Sequence, residues 1–229
     1  MGKYIWCEDS GAGFTFWKEI FGLFHPDAIV ETKMNNSRLC KATSKIELDG
    51  NQYYILMDTA ADNPNIIREL SRLKKVAADK KNVLIVDIHS FEYVLLSFEH
   101  LIEWVFAEED ELKNKREALI KARELLVEMI SIGATAEKLT EMKTIFPYAT
   151  NHNSEQISGE LLLAITRNTG FETDKKRLGE CFINSCCEWS VRQNDDICGL
   201  NESRLTAEEK KKELLEYSVL KTALAKVGL

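Results

Sequence analysis

The spacing of apolar residues along this chain changes near its middle, and that change separates two kinds of structure. In the first half, short apolar runs alternate with stretches in which apolar residues recur every three or four positions, the signatures of strands and helices. Lys3-Tyr4-Ile5-Trp6-Cys7 is the first run, Ala28 to Lys33 the second, Tyr53 to Met57 the third and Val83 to Ile88 the fourth. Between the first two, Phe14, Trp17, Ile20, Phe21 and Phe24 form one helical stripe that ends at His25-Pro26-Asp27. Ser37 to Ile46 predicts a brief helix before the turn Asp49-Gly50-Asn51, and Pro64 opens a helix lined by Ile66, Ile67, Leu70, Leu73 and Val76. Strands separated by helices predict a mostly parallel four-stranded sheet with helices on its faces.

From Phe91 onward the period is helical. The dense set Tyr93, Leu95, Leu96, Phe98, Leu101, Ile102, Val105 and Phe106 predicts one buried helix. An acidic run from Glu108 to Glu111 opens a long amphipathic helix through Leu112, Leu119, Leu125, Leu126, Met129 and Ile130, with Lys113, Lys115, Arg116, Lys121 and Arg123 on its solvated side. Further helices are predicted at 136–145, 154–166, 174–187 and 206–227, the last with Thr206 and Glu209 at capping-box spacing. The expected organisation is an α/β domain over residues 1–106 followed by an all-helical domain over 107–229, joined by a change of period with no linker-like composition.

Composition narrows the functional classes. An apolar content of 45% supplies a core, and only 3 prolines and 11 glycines describe a chain rich in regular structure. With 30 basic against 37 acidic residues the formal charge is -7, which disfavours loose, charge-driven attachment to nucleic acid or anionic lipid. No run approaches the roughly 20 apolar residues of a membrane helix, and no signal-type segment is evident, so a cytoplasmic protein without a membrane partner is expected. Its 6 cysteines are then expected as thiols or metal ligands.

The strand ends carry the chemistry. The first run ends in Glu8-Asp9 and then Ser10-Gly11-Ala12-Gly13; the third ends at Asp58, with Asp62 four residues on; the fourth ends at Asp87, with Glu92 five residues on. Parallel neighbouring strands gather such tips on one sheet edge, where open α/β sheets bind their ligands. Glu8, Asp58 and Asp62, with Asp87 or Glu92 at the fourth junction, form a candidate site for Mg2+ or Mn2+. Hard cations take oxygen ligands, and paired ions stabilise the attacking and leaving oxygens of phosphodiester cleavage. The alternative is that such acids are solvated loop or cap residues, the reading given to Asp9, Ser10 and Asn63.

Glu8 at the tip of the first strand, the acid loop Leu56-Met57-Asp58-Thr59-Ala60-Ala61-Asp62 and the strand order together resemble the topoisomerase-primase (TOPRIM) domain. The run Asp87-Ile88-His89-Ser90-Phe91-Glu92-Tyr93-Val94-Leu95-Leu96 is similar to a segment of TOPRIM-like nucleases, which add a helical extension to the α/β head and often work beside an ABC-type ATPase in phage defence. The resemblance covers about residues 3–106. It implies Glu8 as general acid/base or metal ligand, Asp58 and Asp62 as Mg2+ ligands and Glu92 as a supporting acid. Thr59-Ala60-Ala61 separates an acid pair that the family usually spaces by one residue, and Asp9 stands where a glycine is common. The expectation is a metal-dependent nuclease acting on DNA or RNA, an antiviral effector that forms oligomers or partners an ATPase; its rival is a non-catalytic TOPRIM-like module that docks on such a partner.

The second constellation is Cys181, Cys186, Cys187 and Cys198. Four thiolates suffice for a closed zinc site. The spacing lacks the paired form of familiar zinc modules, and Zn2+ ranks below thiols packed as small hydrophobes, the reading also given to Cys7 and Cys40. Gly11-Ala12-Gly13 lacks the third glycine of a dinucleotide turn and the lysine of a P-loop. His89 stands near the acids, as a proton carrier or a structural residue. Arg68, Arg72, Lys74, Lys75, Lys80 and Lys81 give the helix after Asp62 a basic face, suited to a phosphate backbone or simply to water.

Overall fold

A computed structural model describes residues 2–106, 111–167, 169–173, 177–186, 198–200 and 203–229. Four strands, β1 (Lys3–Cys7), β2 (Ala28–Thr32), β3 (Gln52–Asp58) and β4 (Val83–Ile88), form one all-parallel sheet in the order β2-β1-β3-β4. The register pairs Cys7 with Thr32 and with Leu56, and Asp58 with Ile88, so all four carboxyl ends meet on one edge. Helices α1 (Ala12–Phe24), α2 (Asn36–Ser44) and α3 (Pro64–Ala77) connect the strands.

Alternation within the strands divides their side chains between two faces. Ile5, Cys7, Tyr54, Leu56, Val86 and Ile88 belong to the larger core, with Phe16, Trp17, Ile20 and Phe21 of α1. Tyr53, Ile55, Met57 and Val83 face a second cluster built with Leu39 and Cys40 of α2 and Leu73 of α3. Burial on both faces explains why β3 reads as an unbroken apolar run.

Beyond β4 follow α4 (Phe91–Ser97), α5 (Leu101–Val105), α6 (Glu111–Lys115), α7 (Glu117–Ser131), α8 (Ala136–Ile145), α9 (Ser154–Thr166), α10 (Glu180–Ile183), α11 (Ala207–Glu216) and α12 (Val219–Ala225). Their apolar faces do not close into a core of their own. Leu126 of α7, Leu161 of α9 and Leu224 of α12 join the cluster that contains Ile5 and Val86, so one core runs through residues on both sides of 106/107. Among the described residues, no helix is long and apolar enough to cross a membrane.

Three helices read as continuous are interrupted, each where a side chain takes up backbone groups. The helix expected over 91–106 breaks at Phe98, where Arg123 donates from Nε to the Leu96 carbonyl and from Nη2 to the Phe98 carbonyl, both at 2.7 Å. Arg123 is therefore half-buried rather than solvated. The 206–227 helix divides at Tyr217 and Ser218: Ser218 caps the Leu220 N–H, the Val219 N–H donates to Ser97 Oγ at 3.2 Å, and the Tyr217 carbonyl accepts from Glu99 N–H at 3.0 Å. Arg116 separates α6 from α7, its guanidinium donating to the carbonyls of Ile165 and Arg167 at 2.6 Å. Of the helix expected over 174–187, Glu180–Ile183 is helical; residues 174–176 and Cys187 lie outside the described residues.

Candidate active site

The chain leaves β1 toward β2 and leaves β3 toward β4, in opposite directions across the sheet, and this divergence opens a crevice at the ends of β1 and β3. Glu8 and Asp58 flank it. The Glu8 N–H donates to the Leu56 carbonyl at 3.2 Å, and the Asp58 N–H donates to Glu8 Oε1 at 2.5 Å, so the glutamate side chain continues the ladder between the strands. Asp9 sits beside the start of α1. Its Oδ2 accepts from Trp17 Nε1 at 2.7 Å, and its main-chain carbonyl accepts from the Thr32 hydroxyl. Gly13 makes room for this carboxylate, since a Cβ there would lie 2.4 Å from Asp9 Oδ1. The glycine-rich turn thus accommodates an acid of the chain itself.

Two helix starts supply the remaining acids. Ser90 caps α4, accepting from the Tyr93 N–H at 3.1 Å, and places Glu92 in the first turn. Asn153 and Gln156 form a capping box on α9, with Glu155 in its first turn. Glu155 comes from the helical half of the chain. It is held against the β3–α3 loop by Asn63 Nδ2, which donates to Glu155 Oε2 at 3.1 Å. Asp62 grips the same helix end, accepting from the Ser154 N–H at 2.7 Å and the Ser154 hydroxyl at 2.6 Å.

Burial and crowding work in one direction on this cluster. Glu8 is pushed up from 4.5 to about 8, first by burial and then by Asp9, Glu155 and Glu92, against the opposing Asp58 N–H. Burial, with Asp9 and Glu155, raises Glu92 to about 7. Asp9 rises to about 6 despite the Trp17 donor, and Asp58 is raised well above its ordinary value by burial, Glu8, Asp9, Glu92 and Glu155. Among the described residues, no lysine or arginine is ion-paired with any of these acids. The result is a recess in which Glu8, Asp9, Asp58, Glu92 and Glu155 repel one another, with no ion-paired cationic side chain among the described residues to relieve them.

The expected acids therefore separate into two groups. Glu8, Asp58 and Glu92 come together. Asp62 is exposed and engaged by Ser154, and Asp87 is exposed on β4, where both line a different cavity with His89. Asp9 and Glu155 complete the recess and were not singled out from sequence. Asp9 resembles any loop acid, and Glu155 occupies an ordinary helix start that only the docking of α9 brings to the sheet.

As arranged, no three histidine, cysteine, aspartate or glutamate side chains among the described residues form a metal-binding group. The donor chemistry fits magnesium or manganese nonetheless: all groups are oxygen donors, and magnesium is commonly held by one or two carboxylates plus water and substrate oxygens. Of the thiols considered for zinc, Cys187 lies outside the described residues. Cys198 is buried in the main core, with Cys181 and Cys186 packed against it. Cys7 and Cys40 are buried, as their sequence context suggests.

On α3, Arg68 and Arg72 pair with Glu69 and Lys74 and Lys75 are exposed; the helix ends at Ala77, so Lys80, bonded through Nζ to the Ile46 carbonyl, and exposed Lys81 lie beyond the expected basic face. No family model, curated protein or solved structure matches the chain, so the functional argument rests on the residues and geometry of this recess.

Proposed function

We propose that this protein is a TOPRIM-like, Mg2+- or Mn2+-dependent nuclease that hydrolyses phosphodiester bonds of DNA or RNA at the recess between β1 and β3. The observation that carries the proposal is the convergence of Glu8, Asp9, Asp58 and Glu92, whose proton affinities are raised by burial and mutual repulsion, with Glu155 adding its charge to the same cluster. Such a cluster has its free energy lowered by a divalent cation more than by any monovalent group. Asp58 is the first candidate ligand, because its carboxylate makes no side-chain hydrogen bond among the described residues; Glu92 and the second oxygen of Glu8 are the next. When bound, the ion neutralises charge on phosphoryl oxygens and makes a coordinated water more acidic.

The protein's own groups then divide the work. Glu8, whose proton affinity is raised to about 8 while the recess is empty, gives up that proton as a cation enters and, once ionised, accepts one from water. Trp17 fixes Asp9 and Asn63 fixes Glu155, so these acids set the field of the recess from defined positions. Cleavage assays on single- and double-stranded DNA and RNA test the reading. Glu8→Gln and Asp58→Asn are expected to lower the divalent-dependent rate by ~10²-fold or more, as loss of acid–base help or charge stabilisation does. Cleavage that is indifferent to both changes, or to chelation, contradicts it.

A second reading, a non-catalytic module docked on a partner such as an ATPase, is favoured by the departure of the acid pair from the usual spacing, with Asp62 engaged by Ser154 of the helical half. It predicts a stable complex that survives Glu8→Gln and Asp58→Asn, measured by light scattering on the natively expressed protein.

A further inference from the structure

A cavity of about 730 Å3 opens on the same sheet edge, beyond Asp62 and away from Glu8, Asp58 and Glu92. Its walls are mainly apolar, formed by Leu126, Met129 and Ile130 of α7, Leu139 of α8, Ile157 of α9 and Ala223 of α12. Its polar lining includes Asp87 and His89 at the end of β4, Asp62 and Ser154 beside them, and Ser131 and Lys226 from the helical half. A concave, mostly apolar volume of this size with a few convergent polar groups has the character of a small-molecule site.

The polar end is rich in acceptors. Asp87 is acceptor-only when ionised, whereas both Asp62 oxygens already accept from Ser154. Burial lowers the proton affinity of His89, so its ring is neutral near pH 7. Its Nε2 is buried without a hydrogen-bond partner. The Tyr93 ring stands edge-on to His89, with centroids 5.3 Å apart, and forms an aromatic wall beside these acceptors. Lys226 is the basic residue of the lining, against Asp62 and Asp87, so the lining carries a net charge of -1 with His89 neutral. That balance disfavours polyphosphates and other anions and favours neutral or cationic donors.

We propose that this cavity binds an amino-substituted heteroaromatic ring, with the flat body among Tyr93, Leu126 and Met129 and the amino group directed at Asp87 and His89. The recognition is that by which carboxylates read exocyclic amines of bases and apolar pockets hold unstacked bases. The ring reaches the cavity either as a free nucleoside or as a base of a single strand. The inference rests on the cavity alone and does not require the acid recess to cleave anything.

The test is binding to the full-length protein, followed by calorimetry in chelator so that cleavage plays no part. Adenosine is compared with purine riboside, which has the same shape without the amino group, and a ten-residue deoxyadenosine strand with a ten-residue thymidine strand. Adenosine is expected to bind at least tenfold more tightly than purine riboside. Ala134→Trp, a change at an exposed residue on the cavity rim, is expected to abolish binding, and Asp87→Asn to erase the preference for the amino group. If only the deoxyadenosine strand binds, and Ala134→Trp removes that binding, the ring is supplied by a strand. Equal affinity for adenosine and purine riboside, no binding of any probe, or binding that Ala134→Trp leaves intact overturns the proposal.

Discussion

Replacing Glu8 by glutamine isolates the electrostatic cost of the acid recess. Glutamine keeps an oxygen to accept the Asp58 N–H and removes the charge that Asp9, Glu92 and Glu155 oppose. In the folded protein Glu8 binds its proton up to about pH 8, whereas in the unfolded chain it releases it near 4.5. The native state therefore holds the extra proton between those values, and linkage makes stability fall as pH rises through that window. At roughly 1.4 kcal/mol per tenfold change in proton affinity, the whole shift has a ceiling of about 5 kcal/mol. Glu8 is half-buried and its repulsions are shared, so the working figure is ~1–3 kcal/mol at pH 8 and nothing below pH 4.5. Urea unfolding from pH 4.5 to 8, without divalent ions, measures it. The wild type is expected to lose stability across this range, and Glu8→Gln to lose less, ending ~1–3 kcal/mol above the wild type at pH 8. Parallel pH profiles for the two proteins would falsify the claim that Glu8 is strongly perturbed.

Other changes probe how the recess is built. Gly13→Ala drives a methyl group into Asp9 Oδ1 and is expected to lower stability by ~1–3 kcal/mol, read from the urea midpoint. Trp17→Phe removes the donor to Asp9 while keeping most of the core volume; the Asp9 proton affinity should rise above about 6, visible in a carboxyl-resolved NMR titration. Asp62→Ala frees the start of α9 and is expected to cost ~1–3 kcal/mol, with faster amide exchange at Ser154 and Glu155. Gly199→Ala, where a Cβ would lie 1.5 Å from the Glu103 carbonyl oxygen, is expected to cost ~3 kcal/mol or more in thermal unfolding.

The α/β half was readable because its signals are local. Each strand is a short apolar run, each connecting helix carries its own stripe, and Glu8 and Asp58 stand where their runs end. The helix boundaries of the second half were less readable, because distant groups set them: Arg123 ends α4, while Ser97 and Glu99 help divide α11 from α12. The recess was legible in outline only. Asp9 reads in sequence as a solvated loop acid because its partner Trp17 reads as a core residue, whereas Trp17 is both buried and a donor to it. Glu155 left no trace because the contacts that dock α9 on the β3–α3 loop join residues 92 positions apart. Asp62, four residues past the end of β3, and Asp87, one residue before the end of β4, read like Asp58 in sequence, yet both turn outward to a separate cavity.

Calorimetric titration of the protein with Mg2+ and Mn2+ at pH 7, repeated in two buffers of different ionisation enthalpy, tests the central claim most directly. Glu8 and Glu92 hold protons near that pH, so an ion entering the recess must displace them. The account predicts saturable binding with release of about one proton per ion, lost in Asp58→Asn and reduced in Glu8→Gln. An absence of binding heat in both buffers, or binding without proton release that both variants leave unchanged, would contradict it.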